Sequence, residues 1–208
     1  MLTLRKPMKA GRRSQAGMSL LELLFAGFIL TIGMLGSLIM ITTAIATNQR
    51  NKTDTVGTAL GQTVIEEIAT LPTSDLSIGN LTLKDCAGNS HNITVKAPLN
   101  TDTAAVQAAG YGATLITSPS SDPSLGRINF TQSVSALHTA GTPPTDYQMD
   151  YYTCGAITFD VRWNIRKMPY PPGTDNKIVV VGVRQKGSGS GGALFFAPPV
   201  NLRTVVGP

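Results

Sequence analysis

The sequence is poor in the residues from which catalytic and metal sites are built. It holds two histidines, two cysteines and one tryptophan among 208 residues. Neither His91 nor His138 stands near a serine, cysteine or acid in a recognisable motif. Both are expected as solvated loop residues, and no enzymatic apparatus is predicted. Cys86 and Cys154 each stand alone, without a CxxC pair or a nearby histidine, so no metal is expected. The Gly-rich run GSGSGG at 187–192 lacks the lysine and the strand-before, helix-after setting of a phosphate loop, and no cofactor is expected either. Charge is also scarce, at 14% of residues, against roughly 25% in an ordinary soluble domain. Of the 17 Lys and Arg, five (Arg5, Lys6, Lys9, Arg12 and Arg13) precede Gly17, leaving 12 against 12 Asp and Glu. The basic pI of about 9.4 therefore belongs to the first residues. No basic stripe remains for a phosphate backbone, which argues against direct nucleic-acid binding.

What the chain does have is a long apolar run. From Met18 to Ala46 it reads MSLLELLFAGFILTIGMLGSLIMITTAIA, with Glu22 as its single charge. A helix of this length spans about 42 Å, enough to cross a hydrocarbon core of about 30 Å. A secretory signal peptide has a shorter apolar core, with its small cleavage-site residues after that core. Here Ala16 and Gly17 come before it. A plain signal anchor remains compatible with the pattern. The basic residues upstream predict a cytoplasmic N-terminus, with the bulk of the chain outside.

Past the apolar run, Val56, Leu60, Val64, Ile68 and Leu71 recur at spacings of four, four, four and three. This is one stripe of an amphipathic helix that continues the membrane segment and stops at Pro72. Gly57 and Gly61 lie within it, each costing about 1 kcal/mol relative to Ala. Beyond Pro72 the period changes to two. Ile157, Phe159, Val161, Trp163 and Ile165 alternate with Thr158, Asp160, Arg162, Asn164 and Arg166, which predicts a half-buried strand. After a Pro-rich connection at 168–175, KIVVVGVRQ at 177–185 predicts its antiparallel neighbour, with one face of the pair laid on the helix stripe. Weaker strand candidates are 81–83, 93–95 and 193–196. Residues 100–152 carry turn formers and little periodicity, and read as a long loop region. Cys86 and Cys154, in a part expected outside the cytoplasm, suggest one disulfide; two separate buried thiols are the alternative.

The informative constellation is Gly17 followed by Met18-Ser19-Leu20-Leu21-Glu22, set between the basic leader and the apolar helix. It resembles the N-terminal signature of type IV prepilins and type II secretion pseudopilins. In that family a Gly precedes the cut, an apolar residue, commonly Phe, begins the mature chain, and a Glu stands fifth. Met18 departs from the usual Phe while keeping an apolar residue. The resemblance implies that a prepilin peptidase cuts Gly17–Met18 and methylates the new Met18 amine. Such a cut spares the apolar helix. IGMLG at 32–36, IEEIATLP at 65–72 and the strand pair are similar to the minor pilins and pseudopilins that prime or cap filaments.

A carboxylate in a membrane helix costs roughly 2.5–3.5 kcal/mol at the bilayer centre and less near the interface. A solvated interfacial Glu22 is one reading. The other is that Glu22 meets the Met18 amine of its own or a neighbouring subunit and sets axial register. Gly27, Gly33 and Gly36 are expected to allow close helix packing, or simply reflect the frequency of Gly in membrane helices.

The expected fold is α+β and pilin-like: a long N-terminal helix, membrane-embedded in its first half, packed on a small antiparallel sheet with long loops. The expected divisions are a cleaved leader at 1–17, a transmembrane and assembly helix at 18–47, its amphipathic continuation at 48–72, and an extracytoplasmic β-rich domain at 73–208. The resemblance implies as partners the prepilin peptidase, other pilins, an inner-membrane assembly platform and, before assembly, membrane lipid. It places the chain in a bacterial inner membrane and then in a pilus, or in the pseudopilus of a type II secretion system. A signal-anchored adhesin that joins no filament is a further alternative.

Overall fold

The protein is described from a computed structural model covering residues 19–70, 79–99, 101–117, 126–139, 145–155, 157–168, 176–187 and 199–207. The chain divides into two compact units, Met1–Asn48 and Gln49–Pro208. A single α-helix, α1 (Leu20–Ala69), contributes to both.

In the first unit every described side chain is exposed, including Phe25, Phe28, Ile29 and Leu35. This helix is long and apolar enough to cross a membrane, with a mean hydropathy of 2.3 over its best window. Apolar residues cover all of its faces, the pattern of a helix whose surroundings are themselves apolar. Its hydroxyls fit such surroundings. Thr31 donates to the Phe28 carbonyl at 2.8 Å, Ser37 to Gly33 at 2.9 Å and Thr47 to Thr43 at 2.9 Å. Thr42 and Thr43 do the same toward Ile39. Each of these hydroxyls is thus satisfied within the helix itself.

The second unit begins with residues 49–69 of α1. There follow β1 (Gly79–Lys84), β2 (Ser90–Val95), the short helix α2 (Ala104–Ala109), β3 (Tyr111–Gly112), β4 (Leu115–Ile116) and β5 (Arg127–Ile128). A 3-10 turn (Val134–Leu137) leads to β6 (His138–Thr139), β7 (Thr145–Asp146), β8 (Gln148–Tyr152), β9 (Thr158–Lys167), β10 (Lys177–Gln185) and β11 (Val200–Val206). The main sheet runs β11-β10-β9, all antiparallel. The far edge of β9 is shared, with β8 pairing Thr158–Arg162 and β3 pairing Asn164–Ile165. At the β3 contact Gly112 has φ +113°, and a Cβ there would clash with the Trp163 carbonyl oxygen. Only glycine suits that position.

The register places Val161 opposite Val183, Trp163 opposite Val181 and Ile165 opposite Val179. All six are fully or almost fully buried. Against this face lies the buried stripe of α1: Thr53, Gly57, Leu60, Gly61, Val64 and Ile68. The glycines are where helix and sheet come closest. A Cβ on Gly57 would sit 3.5 Å from Phe159, and one on Gly61 would sit 2.7 Å from Leu202. Of the expected stripe, Leu60, Val64 and Ile68 are buried, Val56 is partly buried and Leu71 lies outside the described residues, while the two glycines expected only to weaken the helix join the buried face. The same sheet face continues under the β1-β2 hairpin, where the Trp163 indole donates to the Thr94 carbonyl at 2.9 Å.

The opposite face corrects the expectation of a half-buried strand. From Phe159 to Arg166 every residue of β9 is buried, including Asp160, Arg162, Asn164 and Arg166. The cover comes from part of the stretch expected as loop. Arg162 Nη1 donates to the carbonyls of Asn129 (3.2 Å) and Gln132 (2.8 Å). Asn164 Nδ2 donates to those of Ala109 (3.2 Å) and Ala113 (3.0 Å). The Phe130 ring lies under the guanidinium groups of Arg162 and Arg184, at 5.2 and 4.6 Å. Gly182 of β10 makes room, since a Cβ there would stand 2.7 Å from the Ile128 Cβ. Residues 101–117, 126–139 and 145–152 therefore hold short elements where only loop was expected. They include β8, which pairs five residues with β9. The expected strand at 193–196 lies outside the described residues. The third strand of the sheet is β11.

Candidate functional site

Three places in the chain gather chemistry: the apolar half of α1, the disulfide-bearing turn after β1, and a polar network at the β8 edge of the sheet.

Gly17 and Met18 of the expected cleavage motif lie outside the described residues. Glu22 stands in the first turn of α1, exposed, with its backbone N–H donating to the Ser19 carbonyl at 2.9 Å. A carboxylate there is favoured by the positive end of the helix dipole. A Cβ added to Gly27, Gly33 or Gly36 would meet nothing within 4 Å. At about 100° per residue, Gly33, Gly36 and Ser37 share one side of the helix and Gly27 lies opposite Gly36. The three glycines therefore do not form one face. The open backbone at Gly33 forms a shallow apolar groove between Ile29, Leu30, Met34 and Leu38.

Cys86 and Cys154 are joined in a disulfide with a Cα–Cα distance of 5.1 Å. It links the turn between β1 and β2 to the turn between β8 and β9. The first turn is built on Asp85. Its carboxylate accepts from the backbone N–H groups of Ala87 (2.9 Å) and Asn89 (2.8 Å), from Asn89 Nδ2 (3.0 Å), and pairs with His91 Nε2 (3.1 Å). Gly88, at φ +84°, closes the turn. Burial pushes the Asp85 carboxyl up, but the bonds from His91, Asn89 and Ala87 outweigh it and hold the group down at about 2. The cysteines could be read from the sequence. Their carboxylate scaffold was not, because nothing in DCAGNSH marks Asp85 as buried.

The third place was missed in the sequence. The expectation of two solvated loop histidines holds only in part: His138 is exposed but lies in β6 with both ring nitrogens engaged, and His91 lies half-buried in β2 beside Asp85. His138 Nδ1 contacts Asp146 Oδ1 at 2.8 Å, and Nε2 contacts Gln148 Oε1 at 3.1 Å. Gln148 Nε2 donates to Asp150 at 2.8 Å and Asp160 at 3.2 Å. Asp160 in turn receives a forked bond from Arg162, at 3.0 and 3.2 Å for Nε, and a bond from Arg184 at 3.1 Å. Lys186 pairs with Asp150. Nearby, burial raises the phenol of Tyr147, with the Tyr111 phenolate adding to it. Burial also raises Tyr111, with help from Asp102. Among the described residues, no three His, Cys, Asp or Glu side chains converge on a metal-sized site.

In comparisons with protein-family models, with curated proteins and with solved structures, the chain matched none.

Proposed function

We propose that this chain is the precursor of a minor pilin of a type IV pilus. A prepilin peptidase removes the basic leader at Gly17–Met18 and methylates the Met18 amine. The globular unit is carried outside the cytoplasm while the apolar half of α1 holds the protein in the inner membrane. Released from lipid, that half packs among the equivalent helices of other pilins in a priming or tip position.

The observation that carries this reading is the placement of Gly17 and Glu22 around the start of a helix that is apolar on all sides through Ala46. A cut before the helix keeps it, and a cut after it would discard the only described segment long and apolar enough to cross a membrane. Two further features support the reading. One helix, α1, contributes both the apolar segment and the face that packs on the sheet. The disulfide suits a compartment where thiols oxidise.

The test is the mature N-terminus, read by mass spectrometry from cells carrying a prepilin peptidase. The expected product begins at methylated Met18, and Gly17→Ala leaves the full-length precursor. A mature chain beginning downstream of residue 40, or a Gly17→Ala protein of unchanged size and surface exposure, would overturn the proposal. The second outcome would favour a signal-anchored adhesin.

A further inference from the structure

The globular unit carries four Asn-x-Thr runs without proline at the middle position: Asn51-Lys52-Thr53, Asn80-Leu81-Thr82, Asn92-Ile93-Thr94 and Asn129-Phe130-Thr131. This is the spacing read by transferases that attach sugar to an asparagine amide, which require a hydroxyl two residues further on. The fold sorts the four runs. Asn51 lies within α1, where Thr53 is buried and donates to the Gln49 carbonyl at 3.0 Å. Asn80 and Asn92 lie in the extended ladder of β1 and β2, with Asn80 opposite Thr94 and Thr82 opposite Asn92. The hydroxyls of both runs are engaged. Thr82 donates to Asn92 Oδ1 at 3.3 Å, and the buried Thr94 Oγ1 accepts from the Asp146 N–H at 2.8 Å.

Asn129 is placed differently. It follows β5 directly, with its N–H donating to the Thr114 carbonyl at 2.9 Å. Its carbonyl and that of Gln132 accept from Arg162, which fixes the backbone on both sides of Thr131. The Phe130 ring turns toward Arg162 and Arg184, while Asn129 is half-buried and Thr131 exposed. Thr131 donates to Asn129 Oδ1 twice, from its hydroxyl at 2.6 Å and from its N–H at 2.9 Å. This is an Asx turn that sets the amide and the hydroxyl side by side. Two donors on the oxygen draw electron density from Nδ2 and ease the loss of its proton. Nδ2 makes no bond among the described residues and keeps contact with solvent.

We propose that Asn129 is an acceptor site for N-linked sugar. The donor is a sugar joined through its anomeric carbon to a membrane lipid pyrophosphate. The bond from Nδ2 to that carbon forms as the bond from the carbon to the pyrophosphate oxygen breaks. The lipid pyrophosphate leaves with the bonding electrons, and one Nδ2 proton passes to a base of the transferase. The inference rests on the export of the globular unit that the proposed function supplies, and on no step of filament assembly. A sugar at Asn129 adds a hydrated group to a chain in which only 14% of residues are charged.

The test is tryptic mass spectrometry of the full chain, recovered from the membranes and sheared filaments of the cells that make it. Cleavage after Arg127 and Arg162 leaves Asn129 and Cys154 on one peptide, and cleavage after Lys84 and Lys96 leaves Cys86 and Asn92 on another. Found joined before reduction, the two peptides report an oxidised, exported and folded unit. Separated by reduction, they distinguish Asn129 from Asn92. The expected result is a sugar increment that fragmentation places on Asn129. It should be lost in Asn129→Gln and Thr131→Val, and kept in Thr131→Ser and Asn92→Gln. An Asn129 peptide of unmodified mass in a chain that begins at Met18 and carries the joined peptides would overturn this inference and leave the pilin reading standing. An increment that survives Asn129→Gln or Thr131→Val would overturn it too. A sugar on Asn129 in a chain with an uncut N-terminus would support the inference and sink the pilin reading instead.

Discussion

Gly61 on α1 faces Leu202 on β11 with no space for a methyl group between them, since a Cβ at Gly61 would lie 2.7 Å from Leu202 Cδ1 and 3.3 Å from Val183. One turn earlier, Gly57 has ordinary clearance, at 3.5 Å from Phe159. The two glycines have the same helix propensity and differ only in what stands above them. Gly57→Ala should stabilise the protein by about 0.5–1 kcal/mol, the helix-propensity gain. At Gly61 the same gain is offset by displacing Leu202, and Gly61→Leu should destabilise by about 1–3 kcal/mol through overpacking. Thermal unfolding of the purified chain in detergent checks the ranking. Equal effects at the two sites would contradict the close approach.

Arg162 is buried beside Asp160, and the pair also anchors the segment at 126–132 through the Asn129 and Gln132 carbonyls. Arg162→Ala leaves Asp160 with Arg184 and Gln148 as its remaining partners and leaves two carbonyls without their donor. The expected loss is about 3–5 kcal/mol, the range for breaking a buried pair. Denaturant unfolding should show it, with a much smaller loss for Arg203→Ala, whose side chain is exposed.

Asp85 makes stability depend on acid pH. Its folded pKa is about 2, below the ordinary 3.8, so the folded state holds the proton less tightly than the unfolded one. The stability it contributes is present in full above about pH 4 and is lost as pH falls toward 2. Asp85→Asn should flatten this acid limb and lower stability at neutral pH. The check is the unfolding midpoint measured from pH 6 to pH 2 in both proteins, where parallel curves would contradict the assignment.

Glu22 is the one charge in a segment otherwise free of them. Glu22→Leu should leave membrane insertion intact and reduce recovery of the protein in sheared filaments. Normal recovery would remove the register role from Glu22 while leaving the cleavage proposal to its own test.

Helix and strand periods placed α1, β9 and β10, because each buries at least one regular stripe and that stripe is visible without knowing its partner. The other face of β9 was not legible. Strict alternation of Phe159, Val161 and Trp163 with Asp160, Arg162 and Asn164 says that the two faces differ, not that the polar one meets water. Its cover depends on backbone carbonyls at Ala109, Ala113, Asn129 and Gln132, which any residue carries and no pattern marks. Strand β11 was hidden for a related reason. Its inward residues, Val200, Leu202, Thr204 and Val206, include one polar side chain, and the run follows a glycine-rich stretch that drew attention to 193–196 instead. At the candidate sites, the cysteine pair was legible from residue type and setting, while the N-terminal motif, with Gly17 and Met18 outside the described residues, rests on the sequence alone. The Asp85 turn and the His138 network come from contacts across separate strands and were not legible.

The hydroxyls of Thr31, Ser37, Thr42, Thr43 and Thr47 bond to carbonyls of their own helix, so these side chains make no polar demand on whatever surrounds them. Exchanging one oily neighbourhood for another would break no such bond and leave none waiting to be made. Only dispersion contacts change hands, and these are similar for an acyl chain and a leucine. If the proposed function holds, such a helix would pass from lipid to a bundle of like helices at small thermodynamic expense, and Glu22 would be the group that tells the two surroundings apart.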